Sequence, residues 1–308
     1  MKKLSMLTPP KFMKTRRFKE KIYKWMFAVS SFSALIFLLG IIIILFKEGL
    51  PLFNEVSLYD FITGKNWYPT YDPPEFGILP LITATLLVTL GAMFVCIPLG
   101  VGSALYLHEL AGEKKRAVIK PLIEILASIP SVVYGFFGMV IAAPFFQTFF
   151  KLPTGLCALT ASIILGIMAI PTVCSLAEDA LSYVPKSYKE ASYALGANRW
   201  QTMIKVVMPA AGSGISTAII LGMSRIAGET MTVLMVAGGA AIITSSFLVP
   251  VRPMTATIAA EMGEAAVGSS HYQALFAIGL VLFLITFIFN LIAEIISRKY
   301  RLKLGLSV

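Results

Sequence analysis

The sequence predicts an all-α, polytopic membrane helix bundle with about six spanning helices, on three observations. Of its 308 residues, 57% are hydrophobic and 14% charged, where a soluble domain carries roughly 25% charge. Apolar runs long enough to cross a bilayer, about 20 residues each, recur along the chain. The basic residues that make up the net charge of +10 cluster between alternate runs.

The elements follow in order. Residues 1–21 form a basic arm, with Lys2, Lys3, Lys11, Lys14, Arg16, Arg17, Lys19 and Lys21 against Glu20 alone. Beside a membrane span, such an arm sets topology and meets anionic lipid headgroups rather than nucleic acid. The spans lie near Ile22–Phe46, Ile78–Leu107, Pro121–Phe150, Thr154–Leu176, Gly214–Gly238 and Ala274–Ile296. The first is too long for the core of a signal peptide, and Phe46-Lys47-Glu48 is no cleavage site, so it stays as an anchor. Pro98, Pro130 and Pro144 fall inside these windows and are expected to kink their helices. Residues 22–298 thus make the transmembrane domain, and 299–308 a short tail.

Orientation comes from charge. Lys114, Lys115, Arg116 and Lys120, then Lys186, Lys189, Arg199 and Lys205, then Arg298, Lys299, Arg301 and Lys303 all fall on the side of the basic arm. The opposite segments hold only Lys47, Lys65, Lys151 and Arg252. The positive-inside rule then places both termini in the cytoplasm of a cell whose inner membrane the chain crosses. The first outer segment, Lys47–Phe76, is dense in proline and aromatics, which predicts a structured cap or a contact with the lipid interface. The second, Ala240–Tyr272, is apolar for a loop; it either dips into the bundle or carries short helices that plug its mouth.

Cys96, Cys157 and Cys174 have no C-x-x-C or metal spacing and read as small hydrophobes. His108 and His271 lack ligand spacing and receive no role, and Glu124 and Gln147 are weak signals. No metal or cofactor is expected on the chain.

The segment 185–209 is too polar to span and too long for a turn. It reads as two short helices jointed at Gly196, since glycine costs about 1 kcal/mol inside a helix. Ala191, Ala194 and Leu195 give the first helix a small-residue surface open to close docking. Glu190-Ala191-Ser192, Leu195-Gly196-Ala197 and the closing Met208-Pro209 resemble the EAA loop of ABC importer permeases. Ser192 and Met208 depart from the commoner alanine and leucine but keep size or hydrophobicity. The resemblance implies a type I importer permease architecture, with Glu190, Ala191, Leu195, Gly196 and Ala197 docking onto a separate ATPase. The chain has no G-x-x-x-x-G-K-[ST] phosphate loop, so ATP and magnesium belong to that partner.

The fifth window contains Arg225 and Glu229. An arginine at a span centre costs about 2.5–3.5 kcal/mol on insertion scales and by default marks function. On a continuous helix, Gly214, Ala218, Gly222, Arg225, Gly228, Glu229 and Thr232 share one face, suited to a pathway or a tight helix contact. Arg225 and Glu229, four residues apart, are expected to pair. One reading makes that pair structural. In the other, Arg225 grips an oxyanion through its planar fork, while Glu229 orients it and loosens the grip. A paired arginine leaves an anion under-compensated, so a second permease is expected to add cationic groups.

Arg225-x-x-Gly228-Glu229-Thr230 resembles the R-x-x-G-E-T signature of phosphate ABC permeases. The continuation Met231-Thr-Val-Leu-Met-Val, with Phe61–Trp67, Phe76–Ile82 and Pro130–Phe136, is similar to the C-type subunit of the Pst importer. The resemblance implies Arg225, Glu229 and Thr230 on the substrate pathway. It also implies a partner permease of A type, two ATPase subunits and an extracytoplasmic phosphate-binding protein. Alternatives are a permease for sulfate, molybdate or phosphonate, or a gradient-driven anion transporter. An enzyme is not expected, since the spans carry no catalytic constellation.

Overall fold

The computed structural model describes residues 11–303, and its long apolar runs are helical. α1 (Lys11–Gly49) merges the arm and the first span into one helix; residues 1–10 of the arm lie outside the described residues. A 3-10 turn (Leu50–Asn54), α2 (Leu58–Thr63) and a two-stranded hairpin of β1 (Trp67–Tyr68) and β2 (Glu75–Phe76) follow. α3 (Leu79–Leu105) ends in a π-helical turn, Tyr106–Leu110. α4 (Glu113–Ala127) is separate from the third span, which comprises α5 (Ser131–Phe137), a π-helical turn and α6 (Ala143–Phe150). α7 (Ala158–Ser182) is the fourth span.

α8 (Lys186–Ala194) and the helix built from α9 (Arg199–Thr202), a π-helical turn and α10 (Met208–Ala210) lie before α11 (Gly212–Ala227). The run Arg199–Ala210 meets α11 at 70°. α12 (Met231–Val236), α13 (Met254–Glu261) and α14 (Ser270–Lys303) complete the chain. α14 continues into the tail as far as Lys303; residues 304–308 lie outside the described residues. Among the described residues, five helices are long and apolar enough to span, and six with the bent pair.

Two spans differ from the sequence windows. The third begins at Ser131, not Pro121, because Pro130 disfavours helical geometry at Ile129 and serves as the N-cap of α5 instead of kinking a span. Pro98 lies within α3, as expected, and Pro144 follows the π-helical turn Gly138–Ala142. The fifth window is not one helix: α11 stops at Ala227, and Gly228–Thr230 separate it from α12. Tertiary hydrogen bonds hold that break open. Thr255 Oγ1 donates to Glu229 O at 2.8 Å, and Thr232 Oγ1 to Ser131 O at 2.9 Å.

α3 and α7 form the centre. A Cβ at Gly166 would lie 2.9 Å from Ala92 O, so the two backbones meet as closely as small residues allow. Two glycines of α11 likewise admit α7 closely: a Cβ at Gly214 or Gly222 would lie 2.4 Å from Ala180 or Val173 side-chain atoms. Of the two roles open to that small-residue stripe, the glycines serve the tight helix contact.

The first outer segment is a structured cap. Leu52, Phe61, Trp67, Phe76 and Ile78 are buried together with Met254, Leu275 and Ile278. The second does both things its apolar character allowed. It dips inward, where Val249 O and Phe247 O accept from Ala158 N and Leu159 N and so cap the orphan donors of α7. It then forms the short helix α13, whose first N–H, that of Met254, donates to Thr85 Oγ1 at 3.0 Å. The three cysteines are free and buried.

Candidate transport and docking sites

Arg225 lies in the last turn of α11, half-buried, level with two interrupted helices. Its Nη1 donates to Thr172 Oγ1 of α7 at 3.1 Å, and its Nη2 to Ala127 O at 3.4 Å. Ala127 ends α4, where unpaired carbonyls favour a cation; Tyr134 OH donates to the neighbouring Leu126 O at 3.0 Å. The break at Ser128–Pro130 therefore creates half of the arginine's environment.

The expected Arg225–Glu229 pair is absent among the described residues. An i, i+4 pair needs a continuous helix, and this one ends at Ala227. Glu229 Oε1 instead accepts from Thr232 N at 3.4 Å at the start of α12, and Thr230 Oγ1 donates to Gly228 O at 3.3 Å. Among the described residues no carboxylate is paired with Arg225. Its two acceptors are neutral, and a guanidinium has five N–H donors to offer.

The segment 185–209 is jointed at Gly196 as expected. Gly196 sits at φ +82°, a left-handed conformation that glycine adopts without strain. Asn198 then opens the next helix through a reciprocal capping box with Gln201, whose N–H donates to Asn198 Oδ1 at 2.8 Å. Glu190, Ala191, Ala194, Leu195 and Gly196 are exposed and Ala197 half-buried; Leu195 reaches 90% exposure. Ser192, on the opposite side of α8, is buried, with its Oγ 2.8 Å from Thr202 Oγ1.

Sequence reasoning passed over two polar clusters. Near the segment 185–209, Glu178 (side chain 1% exposed) is gripped by Arg116 and by Lys120 Nζ, the latter at 2.6 Å. Lys120 also binds Asp179. Burial alone would lower the Lys120 ammonium's pKa, but its hydrogen bonds to Asp179 and Glu178 outweigh that and hold it above the ordinary lysine value. At the opposite end of the bundle, Glu261 accepts from Trp67 Nε1 at 3.1 Å and from His271 Nε2 at 2.9 Å, and pairs with Arg252. Acids at the end of the fourth span were the available signal for the first cluster. The second joins residues 194 positions apart and left none.

A family model described as "Binding-protein-dependent transport system inner membrane component" matches residues 96–302. The chain belongs to this family. As a membrane transport subunit it is similar to Probable ABC transporter permease protein YqgH of Bacillus subtilis (strain 168), with 39% identity covering 84% of this permease and 85% of that one. It is 34% identical to Phosphate transport system permease protein PstC of Mesorhizobium japonicum, over 88% of each chain. Among solved structures, a bacterial alginate ABC transporter with its alginate-bound periplasmic protein matches with a TM-score of 0.61 at 14% identity, covering 92% of this permease and 98% of that chain. The inward-facing MetNI methionine ABC transporter matches at 0.54 and 21% identity, covering 73% and 94%. At these identities the likeness is one of fold, the ABC importer permease fold.

Proposed function

We propose that this permease is one of two membrane subunits of an ATP-driven importer that carries inorganic phosphate into the cytoplasm. The observation that carries this reading is Arg225, a half-buried guanidinium at the junction of two broken helices, whose hydrogen bonds among the described residues go to neutral oxygens alone. A fork of parallel N–H donors matches an oxyanion's geometry. The name of the 34% identical PstC relative supports phosphate as that anion.

Glu229 and Thr230 belong to the same pathway. They form the non-helical junction beside Arg225, and Glu229 supplies a repulsive charge that shortens an anion's stay. A divalent oxyanion exceeds one arginine's charge, so a homologous permease of A type completes the site. A curated relative named as PstA, 34% identical over 76% of this chain, supports such a pairing of similar subunits.

ATP and magnesium are bound by two ATPase subunits that receive the exposed face of α8 through Glu190, Ala191, Leu195, Gly196 and Ala197. An extracytoplasmic phosphate-binding protein delivers substrate to the opposite end. The basic ends of α1 and α14, α4 and the docking segment all face the cytoplasm and its anionic lipids.

The test is labelled-phosphate uptake by the complete importer in proteoliposomes, competed with sulfate, molybdate and phosphonate. Phosphate alone is expected to compete fully. Arg225→Gln is expected to abolish uptake while the subunits still co-purify; wild-type flux in that variant removes Arg225 from the pathway.

A further inference from the structure

α8 has almost no apolar hold on the bundle. Ser192 is its one buried residue, and no α8 side chain joins the apolar cluster in which Leu107, Leu181 and Val207 are buried at this end. Its attachment is polar. Lys189 Nζ donates to Glu109 Oε2 at 2.7 Å, and Tyr193 OH to Glu109 Oε1 at 3.4 Å. The Glu109 side chain is 8% exposed, on the π-helical turn that ends α3.

Lys189 Nζ also lies 3.0 Å from His108 Nε2. An ammonium has no acceptor, so Nε2 must accept; donor counting thus assigns His108 as neutral with its proton on Nδ1. Nδ1 faces Ser182 Oγ at 3.4 Å and Glu178 Oε1 at 3.9 Å. Glu178 is held in turn by Arg116 and Lys120 of α4. One unbroken polar chain therefore runs from the docking helix through the end of α3 to α7 and α4.

We propose that Glu109 and His108 are positioning residues that pass displacement of α8 to the inner ends of α3 and α7. The inference rests on the docking role of α8. Apolar surfaces can slide past one another, whereas a buried carboxylate pulled from its ammonium loses its nearest cation in low dielectric and keeps only the more distant Arg199 guanidinium, 3.9 Å away. Elements joined in this way move together. π-helical turns are frequent at functional sites, and this one places an acceptor and a carboxylate side by side beneath α8.

The experiment uses the complete importer in proteoliposomes and measures ATP hydrolysed per phosphate moved. Glu109→Gln, which keeps shape and removes charge, is expected to raise that ratio about fivefold or more with subunit assembly unchanged. Glu109→Lys and Lys189→Glu should each do the same. Their combination, which restores opposite charges, should return the ratio to within about twofold of wild type. A wild-type ratio in the single variants, or no recovery in the double, overturns the linkage. If Glu109→Lys does not accumulate, the Glu109→Gln ratio decides alone. Leu195→Asp separates the two claims. If the ATPase still co-purifies with it, the docking reading falls and the linkage with it. If the ATPase is released while Glu109→Gln stays coupled, the linkage alone falls.

Discussion

The groups that hold Arg225 carry no charge of their own. Thr172 Oγ1 and Ala127 O aim the guanidinium without neutralising it, so its field is available to an anion in a setting where charge interactions exceed those in water. Replacing it by lysine keeps the charge but loses the planar fork. Arg225→Lys is expected to cut phosphate uptake by about tenfold or more, because one charge-assisted hydrogen bond contributes about 1.5–3 kcal/mol. On the proposed pathway, Glu229 acts in the opposite sense. Glu229→Gln keeps the acceptor for Thr232 N and removes a repulsive charge worth about 1 kcal/mol near an aqueous path. Uptake kinetics should then show a several-fold lower KM with a reduced maximal rate. An unchanged KM places Glu229 off the path of the anion.

At the scale of elements, contacts between helices depend on absent side chains and on bends. The α11–α7 contact closes because Gly222 lets Val173 approach; a Cβ there would lie 2.4 Å from Val173 Cγ2. Gly222→Leu is expected to destabilise the protein by about 1–3 kcal/mol through overpacking. Gly40→Leu, on α1, meets nothing within 4 Å and should leave the thermal midpoint in detergent unchanged, so equal midpoints for the two variants would refute the contact. The joint after α8 is different, since a side chain at Gly196 also meets open space but must adopt φ +82°. Gly196→Val then carries strain of about 1–2 kcal/mol. It is expected to leave membrane insertion intact and to uncouple ATP hydrolysis from uptake, as read from the ratio of the two.

The whole molecule is polarised along the membrane normal. One end gathers α4, the docking segment and the buried Glu178 cluster; the other carries the β1–β2 cap, the inward strap and Glu261 with Trp67, Arg252 and His271. A reporter phosphatase that works only outside the cytoplasm should be inactive when fused at the C-terminus and active when inserted in the loop 69–74. Activity at both positions would contradict the orientation. The bundle is held at each end by ions and in the middle by small residues, so detergent extraction at high salt should loosen α4 before α3 and α7, as hydrogen exchange would record.

The span count, the glycine joint before Asn198 and the presence of Arg225 in an apolar run were all legible in the linear sequence. Each rests on local properties: run length, backbone freedom and the cost of a charge in lipid. The arginine's partners were not legible. The continuous-helix assumption assigned it Glu229, whereas the break at Gly228–Thr230 is held by Thr255 and Ser131, residues from other elements. Ala127 O became available because α4 ends before Pro130. His108 and Glu109 likewise gained roles when folding brought Lys189, about 80 positions along the chain, against them. A sequence determines which groups cannot stay in lipid unaided; where each finds its partner is decided by three-dimensional packing, because hydrogen bonds and ion pairs require distances of a few ångströms that sequence separation does not encode.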